Sequence, residues 1–264
     1  MSKQNWTTES RGMGLVFLWC VVLVGAMVPT QGLAQGDGEP IMQAVYDQGR
    51  LHKNQQADVE LVIKDAEGRE RTRFFTLRHK IFPERSKTLV KFYEPASVRG
   101  TALLSETLDK ETHPSQWIYL PAFRSIKRLS SEEQNKSFVG SDFTNGDVAG
   151  RKVERDKHVI KEKNDKVAII ESTPTKSDDD YTKLEVHVLL SVMVPARIVF
   201  YGKGGEKLKT LHNRNIRKID GMYTVVEAVM ENHQSGGTSI ITKTDIDFTS
   251  EIDEKLVGFK GLQM

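Results

Sequence analysis

The 264 residues contain a single cysteine, Cys20. That excludes an intrachain disulfide framework and any cysteine-based zinc cluster. An excess of charge of one sign is also missing. Lys and Arg number 38 against 36 Asp and Glu, a net +2, so the basic surplus of a dedicated nucleic-acid binder is absent. No repeat, heptad series or low-complexity tract occurs. The familiar catalytic signatures are lacking too. No Gly-x-Ser-x-Gly elbow is present, and Gly140-Ser141-Asp142 lacks the flanking strand and helix of one. Gly202-Lys203-Gly204-Gly205-Glu206 lacks the Gly-Lys-Ser/Thr ending of a phosphate loop and reads as a hairpin turn. Asp178-Asp179-Asp180 has the charge of a calcium loop but not its alternating oxygen spacing. Glu185 and His187 share a strand face and offer two metal ligands, but a polar outer face beside Tyr181 and Lys183 explains them more simply. No catalytic residue, metal or cofactor is assigned, and the chain is not expected to be an enzyme.

What is present begins with an export signal. A polar start carrying Lys3 and Arg11 leads into the uncharged apolar run Met13 to Val28, which Pro29 ends. The run is about sixteen residues, short of the ~20 that cross a bilayer comfortably. Gly32-Leu33-Ala34 puts small residues where a signal peptidase reads them, so residues 1–34 are expected to be removed before Gln35. An uncleaved anchor is the alternative, and either exports the rest. Trp19 before Cys20 argues against a lipidated cysteine, and the mature chain is then cysteine-free, as suits an oxidising compartment.

The remainder, 35–264, reads as one mostly-β domain, and the 38% hydrophobic content of the whole chain is sufficient for a core. Glu39-Pro40 opens a helix to about residue 50, with Ile41, Ala44 and Val45 on one face. In Ala57 to Ile63 the residues Val59, Leu61 and Ile63 alternate with Asp58 and Glu60, the period of a half-buried strand. Short strands then recur between turn signals without intervening helices, up to Thr238–Phe248, followed by a brief helical turn at 251–256. That spacing means antiparallel pairing. A sheet this long curls, and its inner face needs covering by side chains, a helix or a ligand.

Residues 92–147 are the informative stretch. Phe92-Tyr93-Glu94-Pro95 is followed by Val98 to Leu104, with Arg99-Gly100-Thr101 within it. Next come Gln116-Trp117-Ile118-Tyr119-Leu120-Pro121, then Arg124 to Leu129, then Ser137-Phe138-Val139-Gly140-Ser141-Asp142-Phe143. Trp117 and Tyr119 fall on one strand face with Ile118 and Leu120 on the other, so this strand expects layers on both sides. An inner apolar lining left partly unfilled would accept acyl chains. Val59, Leu61, Leu103, Trp117, Tyr119, Phe138 and Phe143 are the candidate ligand-binding residues. Arg99, Arg124 and Arg128 make a basic group suited to an anionic head group or an acidic partner surface.

This stretch resembles the outer-membrane lipoprotein-sorting protein family, the LolA-like periplasmic proteins, and within it the branch found beside RND-type membrane transporters. The resemblance rests on Arg99-Gly100-Thr101, Trp117 to Pro121, Arg124, Arg128, Phe138-x-Gly140-Ser141-Asp142-Phe143 and Asp147. It continues more weakly through Tyr181, Gly205-Glu206 and Met230-Glu231-Asn232. It implies a strongly curved antiparallel half-barrel with a few short helices on its concave side. It also implies a periplasmic monomer that carries a lipid or lipoprotein acyl chain and works with an inner-membrane RND-type transporter. The alternative is an accessory or sensor protein that docks on the transporter without carrying lipid.

Overall fold

The computed structural model describes residues 36–176, 179 and 181–264. The export signal with Cys20, and Asp178 and Asp180 of the acidic turn, lie outside the described residues. In chain order the first half comprises β1 (Gly36–Asp37), α1 (Glu39–Gln48), β2 (Asn54–Lys64), β3 (Glu70–Phe82), β4 (Arg85–Glu94), β5 (Ala102–Leu108), β6 (Ser115–Leu120) and β7 (Ser125–Arg128). Two short helices follow, α2 (Ser131–Gln134) and α3 (Asn145–Ala149). The second half is β8 (Asp156–Lys163), β9 (Val167–Pro174), β10 (Lys183–Leu189), β11 (Val194–Tyr201), β12 (Lys207–Ile219), β13 (Met222–Asn232) and β14 (Thr238–Asp247). The C-terminal α4 (Phe259–Gln263) comes last.

The strands form one antiparallel sheet, ordered β1-β8-β9-β10-β11-β12-β13-β14-β2-β3-β4-β5-β6-β7. Two meanders, β2–β7 and β8–β14, are therefore joined by the long-range pair β14–β2, in which Ile241 lies opposite Leu61. The sheet is open, with β1 and β7 at its edges.

Its curvature follows from the core. One apolar cluster contains Ala168 and Ile170 of β9, Leu184 of β10, Met230 of β13, Val59 and Leu61 of β2, Phe75 of β3 and Leu103 of β5. Ten adjacent strands at ~4.8 Å spacing would spread over roughly 43 Å if flat. A sheet of this many strands accumulates twist, and its apolar face bends around the shared core. The concave face is closed by Ile41, Met42 and Val45 of α1, by Val148 of α3, and by Phe138 and Phe143 between α2 and α3.

The convex face carries a second cluster. Leu89, Ala102 and Leu104 pack with Ile252, Val257 and Leu262, and Trp117, Tyr119 and Ile126 join its margin. The C-terminal segment is thus the outer layer expected from the two-sided β6 strand. Lys80 anchors its start, donating from Nζ to Ile252 O at 2.6 Å and pairing with Glu251 at 2.5 Å. Gly261 is required there, because a Cβ would meet the Leu256 carbonyl oxygen at 2.3 Å.

The helix expected at 40–50 and the strand series are found, with longer hairpin arms at β3 and β12. Unanticipated were β1, which pairs with β8 through Gly36↔Ile160, and the helices α2, α3 and α4.

Candidate functional site

Among the cavities on the concave side, two with mainly apolar linings are each of about 210 Å³. The first lies among Val59, Phe75, Leu77, Val226, Ala228, Ile241 and Lys243. The second lies among Tyr181, Leu184, Ile198, Phe200, Leu211 and Met230. Phe143 and Asp147 line both. The segment 137–149 is therefore a plug seated between the two spaces. Each cavity alone falls below the roughly 300–1,000 Å³ of typical ligand sites, whereas the pair joined by displacing the plug lies within that range.

The plug's shape is written locally. Phe138-Val139-Gly140-Ser141 is a tight turn closed by Ser141 N–H donating to Phe138 O at 3.0 Å, with φ of 53° at Val139 and 79° at Gly140. Positive φ at both central positions is the type I′ pattern, natural for Gly140 and strained for a β-branched valine. Burial of the flanking Phe138 and Phe143 holds it. Phe138 stands edge-on to Phe75 at 6.0 Å and tilted over Phe92 at 5.5 Å. Thr144 then caps α3: its Oγ1 accepts from Asp147 N–H at 3.1 Å, and the Asp147 carboxylate accepts from Thr144 N–H at 2.7 Å.

Three polar ties fasten the plug to the sheet. The carboxylate of Asp147 pairs with Lys209 of β12, both largely buried, and accepts from the Tyr181 hydroxyl at 3.1 Å. The Lys209 ammonium also sits over the Tyr181 and Phe200 rings, at 5.3 and 5.2 Å. Burial and then the Asp147 charge push the Tyr181 phenol far above its ordinary pKa, so it serves as a neutral donor. At the other end Asp142 accepts from Ser239 Oγ at 2.6 Å and from Asn232 Nδ2 at 3.1 Å. The fully buried Gln116 of β6 donates from Nε2 to Asn145 O and to Ser105 Oγ, each at 2.9 Å. Beyond the plug, Arg151 forks onto Asp156 at 2.5 Å and reaches Asp179 at 2.9 Å, while Arg155 also pairs with Asp179 at 2.8 Å. Burial opposes ionisation of Asp179, but the two arginines outweigh it and hold its carboxyl below the usual range.

The register places the sequence-derived residues on two different faces. Val59 faces Phe75, Leu103 faces Ile118, and with Leu61, Phe138 and Phe143 these form the concave cluster. Trp117 faces Leu104 and Tyr119 faces Ala102, both in the convex cluster, and Trp117 meets Phe259 of α4 edge-on at 5.1 Å. A lining that combines Val59 and Leu61 with Trp117 and Tyr119 is therefore corrected. Alternation establishes that β6 is apolar on both sides, but only pairing shows which side turns inward.

The three arginines are all exposed and make different contacts. The Arg99 side chain donates to Tyr93 O at 3.0 Å. Arg124 adopts a left-handed backbone, φ 46°, beside Phe123, which is 75% exposed. Arg128, four residues further and about 13 Å away at strand rise, donates to Ser115 Oγ at 2.9 Å and lies over Trp117. It lines a polar groove of about 870 Å³ with Lys110 and Arg155.

Glu185 and His187 bond to each other at 2.7 Å. Among the described residues no group of three or more His, Cys, Asp or Glu is arranged to hold a metal, and no helix is long and apolar enough to cross a membrane. Sequence reasoning passed over Lys209, Lys243 and His79. Lysines recurring on strands otherwise carry no signal that they turn inward.

A family model described only as an uncharacterized protein matches residues 84–263, well over half of the chain. A domain from Vibrio parahaemolyticus, provisionally described as an outer membrane lipoprotein-sorting protein, is 27% identical. The alignment covers 86% of this chain and 98% of that one, with a TM-score of 0.79. The chain belongs to the family whose model matches residues 84–263. A DUF1329 family protein from Desulfovibrio piger shares the fold at TM-score 0.80 and 24% identity, covering 86% of this chain and 98% of that one. A LolA superfamily protein from Nitrosomonas europaea does so at TM-score 0.67 and 22% identity, over 84% and 98%. No curated protein matches by sequence. For this chain the expected fold is thus established, as an open, strongly curved antiparallel sheet.

Proposed function

We propose that this LolA-like protein is a periplasmic, non-enzymatic carrier or chaperone for a lipid or lipoprotein acyl chain. In this reading residues 1–34 export it, and it works with an inner-membrane RND-type transporter in lipoprotein or lipid sorting to the outer membrane. The observation that carries the reading is the concave apolar face with two cavities parted by one short, polar-latched plug. Burial of each CH₂ contributes ~0.8 kcal/mol, so a 16-carbon chain gains roughly 10 kcal/mol before the cost of ordering it and moving the plug. Val59, Leu61, Leu103, Phe138 and Phe143 are the lining in this scheme.

Filling the first cavity tests the reading. Ala228→Phe places a ring where Ala228 now borders open space. Affinity for a fluorescent fatty-acid analogue is expected to fall at least ten-fold, while thermal unfolding stays cooperative. Equal affinity in the variant, or no binding by the parent protein, would sink the proposal.

One observation favours an accessory role on the transporter instead. Phe123 and Arg124 form an exposed apolar and basic tip at the β6–β7 turn, a shape suited to docking.

A further inference from the structure

Lys243 is out of character with its surroundings. It sits on β14 directly opposite Val59, on the concave face, and lines the first cavity with Phe75, Leu77, Val226 and Ile241. Among the described residues nothing forms a hydrogen bond or ion pair with its ammonium group. Three other cations of the interior have carboxylate partners: Lys209 has Asp147, Arg151 has Asp156, and Arg155 has Asp179. Asp147 borders the same cavity, but its oxygens already serve Lys209, Tyr181 and Thr144. A charged group in a partly buried, largely apolar cavity costs stability unless something pairs with it. The neighbourhood reinforces the point. Burial lowers the Lys243 pKa with no carboxylate to offset it. His79 is held down to about 4, first by burial and then by Arg50 and Lys243. His79 itself bonds to Thr88 Oγ1 at 2.8 Å, and Arg50 to the Tyr46 hydroxyl at 3.1 Å, so neither supplies an anion.

We infer that Lys243 is the anchor for the anionic head of a single-chain amphiphile whose hydrocarbon occupies the concave cavity. The inference rests on the acyl-chain reading above and sharpens it, from any acyl chain to one ending in a carboxylate or phosphate. The amide- and ester-linked acyl chains of a lipoprotein carry no anionic group for Lys243, so the site would favour a free anionic lipid over a lipoprotein's acyl group. A charge-assisted bond in a partly buried pocket raises affinity by about ten-fold or more.

The test is a calorimetric titration of the mature protein with palmitate, with 1-palmitoyl lysophosphatidate, and with the neutral alcohol of the same chain length. The parent protein is expected to bind at least one anion ten-fold more tightly than the alcohol. Whichever of palmitate and lysophosphatidate binds more tightly identifies the head group. In Lys243→Met the preference should vanish while alcohol binding persists, and Lys243→Arg should keep it. Equal affinity for acid and alcohol in the parent, or an undiminished preference in Lys243→Met, overturns the anchor and leaves the acyl-chain reading standing. Absence of binding by all three ligands overturns both.

Discussion

Asp147→Ala is expected to destabilise the protein by about 3–5 kcal/mol, because it strands the Lys209 ammonium in an apolar enclosure. Side-chain exposure of the pair is only 10% for Asp147 and 7% for Lys209, so water cannot take the carboxylate's place without opening the core. The same change removes the reciprocal cap of α3 and the acceptor of the Tyr181 hydroxyl, a cap being worth ~1 kcal/mol. Much of this loss belongs to the orphaned lysine. The double variant Asp147→Asn with Lys209→Met should therefore recover most of it, since apolar replacement of a buried pair is commonly neutral. Urea unfolding measures both, and hydrogen exchange adds a local signature. In the single variant, amides of 138–149 should lose protection before those of β2 and β3. A single-variant cost under 1 kcal/mol would mean that the pair does not latch the plug.

The second large effect is expected at Phe138. Its ring is completely buried between Phe75 and Phe92, whose own centroids are 5.0 Å apart. Truncation to alanine removes the transfer energy of the ring and leaves a cavity that rigid strands cannot close, a cost of about 3–5 kcal/mol. At ~2–4 °C per kcal/mol for a domain of this size, the melting temperature should fall by roughly 6–20 °C. Phe123→Ala is the internal contrast: exposed at a turn, it should change stability by less than ~0.5 kcal/mol. Comparable losses from the two would contradict the placement of Phe138 in the core. Phe138→Ala should also enlarge the space next to the plug, so a stability loss accompanied by tighter acyl binding is consistent with the carrier reading.

How much of this was legible beforehand depends on the residue. The alternation of Val59, Leu61 and Ile63 shows a strand with one buried face, and the structure has all three buried. The aromatic pair on β6 shows a strand covered on both sides, and both layers exist. What alternation cannot convey is which of those sides turns inward, since that depends on pairing across several strands and on bulges such as the one between Phe74 and Phe75. Trp117 and Tyr119 went to the wrong face for that reason. The short helices were readable in principle. Ser130 with Glu133, and Thr144 with Asp147, are capping-box pairs at the required spacing, and both boxes form. Lys209 and Lys243 were not readable, because a lysine on a strand looks the same in sequence whether it meets water, a carboxylate or an apolar cavity.

The central claim is that the concave face holds hydrocarbon. Its most direct test is to purify the protein from its native envelope without detergent, extract it with organic solvent and identify the extract by mass spectrometry. The account predicts an acyl lipid near one per protein in the parent and strongly depleted in Ala228→Phe. No lipid in the parent, or equal lipid in the two, would contradict it.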